Sequence, residues 1–214
     1  MSQALRITEI FHSLQGETRS VGRPATFVRL TGCPLRCQYC DTAYAFHGGE
    51  WMEQAAILAQ VEAFGAQLVV VTGGEPLAQQ GVHDLLTALC DAGHEVFLET
   101  SGALDVSAVD PRVVKVLDLK SPGSGEARRN FWANLDCISP QDQIKMVVCS
   151  RDDYEWAREM LEQHQLAARC EVLLSPSHGQ VSPTELANWI LADRLPVRMQ
   201  IQLHKLLWGD VPGH

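Results

Sequence analysis

Apolar stretches of two kinds alternate along the chain. Residues 68–72 form a continuous run rich in β-branched side chains, which is typical of a strand buried on both faces. Residues 83–92 follow with apolar positions at helical spacing, on a stripe made of Val82, Leu85, Leu86, Leu89 and Cys90. Repeated alternation of such strands and helices predicts an α/β protein with a parallel sheet and right-handed crossovers.

The same two patterns divide the whole chain into predicted elements. Strands are predicted at residues 5–10, 25–30, 68–72, 95–100, 113–119, 144–148, 170–174 and 198–203. Helices are predicted at residues 52–64, 83–92 and 153–165, and a fourth is predicted to begin at the capping box Ser182-Pro-Thr-Glu185. Residues 123–129 have the composition of a loop, so no clear helix is expected after the strand at 113–119.

Polar residues collect where the predicted strands end. The sequences at these ends are Gly73-Gly-Glu-Pro76, Glu99-Thr-Ser-Gly102, Lys120-Ser-Pro-Gly123 and Ser175-Pro-Ser-His178. A site is expected there, because parallel-sheet and barrel enzymes place their sites at the carboxyl edge of the strands. No internal repeat, low-complexity tract or linker divides the chain, and residues 1–214 are predicted to form one domain.

Composition limits the classes of function that the chain can serve. It has 214 residues, of which 46% are hydrophobic and 20% charged, as in ordinary globular proteins. A net charge of −9 argues against broad contact with nucleic-acid phosphates. No apolar run is long enough to span a bilayer, and the amino terminus lacks the apolar core of a signal peptide. We therefore expect a cytoplasmic protein that contacts neither nucleic acid nor membrane.

Three of the seven cysteines lie close together, in the segment Cys33-Pro-Leu-Arg-Cys37-Gln-Tyr-Cys40. Tight spacing in a chain without an export signal indicates thiols used for metal or redox chemistry rather than disulfides. A closed zinc site takes four protein ligands, whereas an iron–sulfur cube held by three thiolates keeps one iron open to a small molecule. The other four cysteines, Cys90, Cys137, Cys149 and Cys170, are interpreted as small core residues.

Three further polar features each allow two interpretations from the residues alone. Gln15-Gly-Glu17 is either a plain turn, which the residues favour, or a close approach of the backbone to a ligand. Arg29, in the strand at 25–30, either faces water or pairs with an anion. Asp41-Thr42 either caps the following segment, which is the commoner use, or offers oxygen ligands to Mg²⁺.

The spacing Cys-x3-Cys-x2-Cys, with Tyr39 before the last cysteine, resembles the signature of the radical S-adenosylmethionine (SAM) superfamily. More narrowly, the whole chain resembles the 7-carboxy-7-deazaguanine synthase family of queuosine and deazapurine biosynthesis. The matching segments are Leu14-Gln-Gly-Glu17, Phe27-Val-Arg-Leu-Thr-Gly-Cys33, Tyr39-Cys-Asp-Thr42, Thr72-Gly-Gly-Glu-Pro76, Glu99-Thr-Ser-Gly102 and His204-Lys205 with Leu207-Trp208-Gly209. The resemblance implies a partial (β/α)6 barrel of TIM type from which helices are trimmed.

That family is a group of lyases that convert 6-carboxy-5,6,7,8-tetrahydropterin into 7-carboxy-7-deazaguanine, with ring contraction and loss of ammonia. The resemblance implies a [4Fe–4S] cluster, SAM bound at its open iron, and Mg²⁺. Reduced cluster would cleave SAM to methionine and a 5′-deoxyadenosyl radical, which abstracts a hydrogen from the substrate. The rearranged substrate would take the hydrogen back and regenerate SAM, so the protein's task is orientation and exclusion of side reactions.

The resemblance also assigns residues to each part of the site. Cys33, Cys37 and Cys40 would hold the cluster, and Thr42 would bind Mg²⁺. The residues on the SAM side would be Tyr39, Cys40, Asp41, Gly74, Glu75, Gly102, Lys120 and Ser121. The residues in contact with substrate would be Leu14, Gln15, Gly16, Glu17, Arg29, Thr100, His204 and His214. Arg29 would pair with the substrate carboxylate, and His214 would act through the C-terminal carboxylate.

The partners implied by the resemblance are an external one-electron reductant of flavodoxin or ferredoxin type and a second copy of the chain. Two alternatives stay open. A small radical SAM activase that places a glycyl radical on a partner protein would share the cluster but would not need Gln15 and Arg29. A non-catalytic iron–sulfur electron-transfer module would not need the cleft that the polar strand ends predict.

Overall fold

The computed structural model describes residues 4–209, 211 and 213. Within them the strands are β1 (Leu5–Leu14), β2 (Pro24–Leu30), β3 (Glu50–Met52), β4 (Leu68–Gly73), β5 (Glu95–Thr100), β6 (Val114–Asp118), β7 (Gln143–Val148), β8 (Glu171–Pro176) and β9 (Arg198–Met199). The α-helices are α1 (Gln54–Phe64), α2 (Val82–Asp91), α3 (Arg151–Gln163), α4 (Leu166–Arg169), α5 (Pro183–Asp193) and α6 (Leu203–Trp208).

The strands form one sheet in the order β3-β1-β2-β4-β5-β6-β7-β8-β9. From β2 onwards, through β4 to β9, neighbouring strands are parallel. This parallel part, with its intervening helices, confirms the predicted partial barrel. On the other side β1 runs antiparallel to both β2 and β3. The antiparallel edge was not predicted, because three-residue β3 carries too short a pattern to be recognised.

Alternate residues of the parallel strands enter two different cores, as the period of two in a strand requires. The larger core lies between the sheet and the helices and includes Val28, Val69, Val71, Val96 and Leu98. The opposite face, called the inner face below, carries a smaller apolar cluster of Ala25, Phe27, Leu68, Val70, Phe97 and Val116. The inner face is therefore apolar at the amino ends of the strands.

The carboxyl end of the chain departs from the predicted strand at 198–203. Only Arg198–Met199 pairs with β8, and the last ladder contact is the amide of Gln200, which donates to Leu174 O at 3.0 Å. The amide of Leu203, the first residue of α6, instead donates to Gly16 O at 2.9 Å. The alternating sequence suits a strand, but the side chain of Gln202 binds Glu17 in the loop after β1.

The connection between β6 and β7 contains no α-helix in residues 119–142, all of which the structure describes. Three short 3₁₀ segments replace it, at Pro122–Ser124, Ala127–Arg129 and Trp132–Cys137. The prediction of a loop-like crossover is therefore confirmed. The predicted capping box is also present, because Ser182 Oγ accepts from the amide of Glu185 at 3.1 Å and the Glu185 carboxylate accepts from the amide of Ser182 at 3.2 Å.

The cysteines outside the predicted cluster segment differ in their surroundings. Cys170 is buried, and Cys90 and Cys137 pack half-buried against the larger core. Cys149 departs from the prediction, because it is half-buried outside both cores and lies 3.6 Å from Nε2 of Gln38. Among the described residues, no helix is both long enough and apolar enough to cross a membrane.

Candidate active site

A layer of polar side chains crosses the inner face next to the apolar cluster, on the side of the carboxyl ends of the strands. Each layer residue lies two positions after an inner-face residue of its strand, and so points to the same side. The layer consists of Arg29, Thr72, Glu99, Asp118 and Lys145. Arg29 pairs in register with Thr72, and Asp118 pairs with Lys145. Five neighbouring strands thus present polar groups at one level, near their carboxyl ends.

A cavity of about 680 Å³ opens above this layer. It brings together most of the residues that the sequence predicted for the site. Those that line it are Leu14, Gln15, Gly16, Glu17, Arg29, Cys33, Cys37, Tyr39, Cys40, Asp41, Thr42, Gly74, Thr100, Lys120 and His204. Glu75, Gly102 and Ser121 lie behind the wall, and His214 lies outside the described residues.

The cysteine segment is held against the crossover that follows β6. The amide of Gln38 donates to Ser124 O at 3.0 Å, and the amide of Arg36 donates to Glu126 Oε1 at 2.6 Å. All seven cysteines are free thiols, and the three of this segment are half-buried. Burial raises the pKa of the Cys37 thiol to about 11 and also raises the pKa values of Cys33 and Cys40. Within residues 4–209, 211 and 213, no three His, Cys, Asp or Glu side chains are gathered as a formed metal site.

The three thiols nevertheless fit an iron–sulfur cube in kind and number. They line the same cavity, they are not tied up in disulfides, and no acidic or histidine ligand has joined them into a closed set. Thiolates are the usual cluster ligands, and their protons leave when metal binds. Three thiolates leave one corner of a cube for another ligand. The tyrosine between the last two cysteines, Tyr39, also has a buried hydroxyl without a protein partner among the described residues.

The Gly-Gly-Glu edge packs directly under the cysteine segment. The amide of Gly74 donates to Leu30 O at 3.1 Å and that of Glu75 to Gly32 O at 2.7 Å. A Cβ at Gly74 would overlap Gly32 O, so only glycine permits this approach. The Glu75 carboxylate accepts from Thr100 Oγ1 at 2.9 Å and from the amides of Ser101 and Leu77 at 2.6 and 3.0 Å. Glu75 therefore shapes the wall from behind.

Lys120 lies beside the cysteine segment from the other side. Its ammonium is 2.8 Å from Asp118 Oδ2 and 5.7 Å from the centre of the Tyr39 ring. Burial raises the pKa of Tyr39, and the charge of Asp118 adds to that effect. The neighbouring Ser121 hydroxyl donates to Val147 O at 2.8 Å, so it serves the crossover rather than the cavity. Gly102 is buried with a φ of +74°, a conformation that glycine adopts without strain.

Arg29 occupies the side of the cavity next to β1. Its Nε donates to Glu9 Oε1 at 2.7 Å, and the hydroxyl of Tyr44 donates to the same oxygen at 2.7 Å. Phe11 and Tyr44 flank the guanidinium at 5.7 and 5.9 Å from their ring centres. Among the described residues, the guanidinium makes its protein hydrogen bonds through Nε alone. Its Nη atoms are therefore available to an anion, which agrees with the second interpretation of this residue.

Glu17 and Glu99 line the same cavity as Lys145, and the charge of Lys145 acts on both carboxylates. Lys145 forms an ion pair with Glu17, whose Oε1 also accepts from Gln202 Nε2 at 2.9 Å. Burial opposes ionisation of Glu17, but the charge and hydrogen bond of Lys145 outweigh it and lower the Glu17 pKa. Burial, reinforced by the charge of Glu17, raises the pKa of Glu99. Glu99 accepts from Gln15 Nε2 at 3.1 Å and from Thr72 Oγ1 at 3.2 Å.

The carboxyl-terminal segment closes the cavity opposite the sheet. Gln202 Nε2 donates to both Glu17 Oε1 and Asp41 Oδ2, at 2.9 and 3.2 Å. Lys205 Nζ lies 2.9 Å from the same Asp41 oxygen. Burial opposes ionisation of Asp41, but Lys205 outweighs it and lowers the Asp41 pKa. His204 packs over Gly16, where a Cβ would overlap the imidazole.

Thr42 precedes the 3₁₀ segment Ala43–Phe46 but makes no side-chain cap bond to it. Its hydroxyl donates instead to Asp41 Oδ1 at 2.9 Å. The capping interpretation of Asp41-Thr42 is therefore wrong for Thr42. The pair remains an oxygen-rich corner of the cavity.

The sequence prediction assigned no individual role to several residues of the site. Those that line the cavity are Tyr44, Glu99, Asp118, Lys145, Gln202 and Lys205, and Glu9 binds Arg29 beside it. A signal for three of them was present, because Phe97, Val116 and Gln143 each precede a charged residue by two positions. Continuing the period of two past the apolar cluster would have placed Glu99, Asp118 and Lys145 on the inner face. No comparable periodic signal marks Gln202, and Lys205 is marked only as part of the family segment that begins at His204.

Comparison with known proteins yields matches at three levels. The family model of the radical SAM superfamily matches residues 27–163. A 7-carboxy-7-deazaguanine synthase of Chlorobaculum tepidum is 47% identical over 208 residues, covering 96% of this chain and 94% of the relative. The synthase of the same name from Koribacter versatilis is 43% identical, with 95% and 97% covered.

Solved structures agree with these relatives. The crystal structure of QueE from Escherichia coli superposes with a TM-score of 0.76 at 26% identity, covering 94% of this chain and 95% of that one. Streptococcus suis SuiB bound to S-adenosylmethionine shares the fold at a TM-score of 0.57 and 14% identity, covering 80% of this chain and 48% of that one. The second likeness supports the architecture alone.

Proposed function

Because the chain belongs to the radical SAM superfamily and, within it, to the 7-carboxy-7-deazaguanine synthase family, we propose that it converts 6-carboxy-5,6,7,8-tetrahydropterin into 7-carboxy-7-deazaguanine. The reaction is a carbon–nitrogen lyase reaction that contracts a ring and releases ammonia, and it serves queuosine precursor biosynthesis. The observation that carries the proposal is that the cysteine segment and the polar layer line the same cavity.

The cofactors are a [4Fe–4S] cluster and SAM. Cys33, Cys37 and Cys40 are the ligands that the chain offers to the cluster. When bound, cluster and SAM together supply one-electron chemistry that removes a hydrogen atom from the substrate. The protein's own residues bind, orient and shield the reactants.

On the SAM side, we assign Tyr39, Asp41, Gly74 and Lys120 to the cavity wall that faces the cofactor. Gly74 supports this assignment, because its missing side chain lets the cavity wall approach the cysteine segment closely. Glu75, Gly102 and Ser121 act from behind that wall. Glu75 fixes Thr100 and the strand end, and Ser121 fixes the crossover after β6.

On the substrate side, Arg29 pairs with the substrate carboxylate. A guanidinium held at Nε by Glu9 keeps its Nη atoms for a planar anion, a geometry that lysine cannot reproduce. Glu17 and Glu99 supply acceptors for the amino and ring N–H groups of the pterin. Leu14, Gln15, Gly16, Thr100 and His204 complete this side of the cavity. The family resemblance alone supports the proposed contact between the C-terminal carboxylate of His214 and the substrate.

Mg²⁺ is proposed at the oxygen-rich corner formed by Thr42. The hydroxyl of Thr42 is not used as a helix cap, and it lies on the cavity wall. Hydroxyl and carbonyl oxygens, with water and substrate oxygens, suit a small hard cation. The chain is further proposed to act in the cytoplasm as a homodimer, with a flavodoxin- or ferredoxin-like protein as electron donor.

The test is turnover by anaerobically reconstituted enzyme with 6-carboxytetrahydropterin, SAM, Mg²⁺ and a one-electron reductant. We expect a product whose mass equals that of the substrate less one ammonia. Cys37→Ser should lose both the cluster absorption and the product. Cys137→Ser, a matched change of a half-buried cysteine packed against the larger core, should keep both. Failure of the wild type to form this product would overturn the proposal.

A further inference from the structure

Lys145 is a largely buried cation on the cavity floor. It lies on β7 in the polar layer, and 15% of its side chain is exposed. Its ammonium forms an ion pair with Glu17, which comes from the loop after β1, 128 residues away in sequence. A buried ammonium is costly unless it is paired and hydrogen-bonded. Its position in the cavity floor, at the β7 end of the polar layer, therefore requires a reason.

Three carboxylates from three different elements act on this ammonium through their charges, and one of the three lies on the neighbouring strand in register with Lys145. They are Glu17 after β1, Glu99 at the end of β5 and Asp118 at the end of β6. Burial opposes the charged form of Lys145, but these carboxylates outweigh it and raise the Lys145 pKa. The ammonium is consequently a permanent charge that balances acidic groups on the floor.

The three carboxylates differ in their hydrogen-bond and ion-pair partners. Glu17 has Lys145 and Gln202, and Glu99 has Gln15 and Thr72. Asp118 pairs with Lys120 through Oδ2, while its Oδ1 is buried without a protein hydrogen bond among the described residues. Without the Lys145 ammonium, the acidic groups would repel one another, and Glu17 would lose the contact that fixes its direction.

We propose that Lys145 is a positioning residue for the substrate, which fixes the Glu17 carboxylate and balances the charges of the three acidic groups so that Glu17 and Glu99 present their acceptors to the pterin. The inference rests on the proposed function, since it assigns Lys145 a task in recognising that substrate. Lys145 acts through Glu17 and is not itself required for SAM chemistry. Removing its charge damages substrate use and leaves the cofactor side intact.

Lys145→Met tests this, because methionine has similar length but no ammonium. We expect kcat/KM for the pterin to fall on the order of 100-fold, mainly through a higher KM, as misplaced binding groups cost about that much. Substrate-free formation of 5′-deoxyadenosine from SAM should stay within about twofold of the wild type, since that reaction uses the cofactor side alone. Lys115→Met is the matched control, because Lys115 forms a buried ion pair with Asp142 at 3.0 Å outside this cavity.

A double-mutant cycle shows whether Lys145 acts through Glu17. In a Glu17→Gln background, Lys145→Met should lower kcat/KM for the pterin by less than about threefold, because the ion-pair partner of Lys145 is already lost. The proposal would be overturned by an equal fall in kcat/KM in both backgrounds. It would also be overturned by an unchanged kcat/KM in Lys145→Met, or by loss of substrate-free SAM cleavage in that variant. Wild-type product formation is measured in the same assay. Its absence would overturn the proposed function, whereas its presence beside an unaffected Lys145→Met overturns the role of Lys145 alone.

Discussion

Lys205 forms an ion pair with Asp41, with 2.9 Å between Nζ and Oδ2. This contact joins α6 to the residue that directly follows the last cysteine of the predicted cluster segment. The carboxyl-terminal segment and the cysteine segment are therefore fastened to each other across the mouth of the cavity. The position of α6 therefore affects both the cofactor side and the substrate side of the cavity.

Lys205→Met should lower kcat/KM for the pterin by about tenfold. The change leaves Asp41 without its ammonium and loosens α6, and a loss of about 1.4 kcal/mol corresponds to that factor. Steady-state turnover at fixed SAM concentration measures the effect. Arg198→Met provides the control, because Arg198 pairs with Glu171 at 3.4 Å with 44% and 33% of the side chains exposed. Exposed pairs contribute little, so an equal loss in both variants would refute a special role for Lys205.

Arg29→Lys should keep the cluster absorption and substrate-free SAM cleavage but reduce kcat/KM on the order of 100-fold. A lysine keeps the charge but cannot hold Glu9 and a planar carboxylate at once. The matched control is Arg23→Lys, since Arg23 pairs with both oxygens of Glu95 at 3.0 and 2.6 Å near the amino end of β2. Wild-type turnover in Arg29→Lys would remove the anion-pairing role.

Activity should fall on the acid side through protonation of Glu99. Burial and the charge of Glu17 raise the pKa of Glu99 above its usual 4.5, whereas the pKa of Glu17 is lowered. As pH falls, Glu99 therefore takes up a proton before Glu17 does, and the protonated oxygen no longer accepts a hydrogen bond from the pterin. The kcat/KM profile between about pH 4 and 8, which extends down to the usual carboxyl values, measures this. Glu99→Gln should be less active, and its kcat/KM should not change with pH over that range. A fall in kcat/KM at low pH in this variant would assign the proton to another group.

Ser182→Ala should destabilise the protein by about 1 kcal/mol without changing kcat. Ser182 Oγ accepts from the Glu185 amide at 3.1 Å, so alanine leaves an unpaired amide at the start of α5. Urea unfolding under anaerobic conditions measures the shift in midpoint. Ser182→Gly should cost only a few tenths of a kcal/mol, because glycine is tolerated at this position. Equal stability of wild type and Ser182→Ala would show that the capping box does not contribute.

The parts of the site that could be predicted from sequence are those with local signals. Cysteine spacing identified the segment from Cys33 to Cys40, and glycines at a buried strand end identified the edge at Gly74. The strand–helix alternation likewise predicted the parallel sheet. Each of these features is carried by residues that are close together in the sequence, so it can be recognised without knowledge of the fold.

The contacts missed by the sequence are those between distant segments. Arg29 meets Glu9 because β1 runs antiparallel to β2, and three-residue β3 completes that edge. Gln202 meets Glu17 because the chain leaves the sheet after Met199, although 198–203 alternates like a strand. In both cases tertiary pairing decides between conformations that the local pattern leaves equally open.

The central claim, a ring-contracting reaction on a pterin with SAM as a reusable cofactor, is tested most directly by product yield at limiting SAM. Wild-type enzyme is incubated anaerobically with excess 6-carboxytetrahydropterin, Mg²⁺, reductant and about one-tenth as much SAM as substrate. The account predicts 7-carboxy-7-deazaguanine, identified by mass, in several-fold molar excess over the SAM supplied. No such product, or product that never exceeds the SAM consumed, would contradict it.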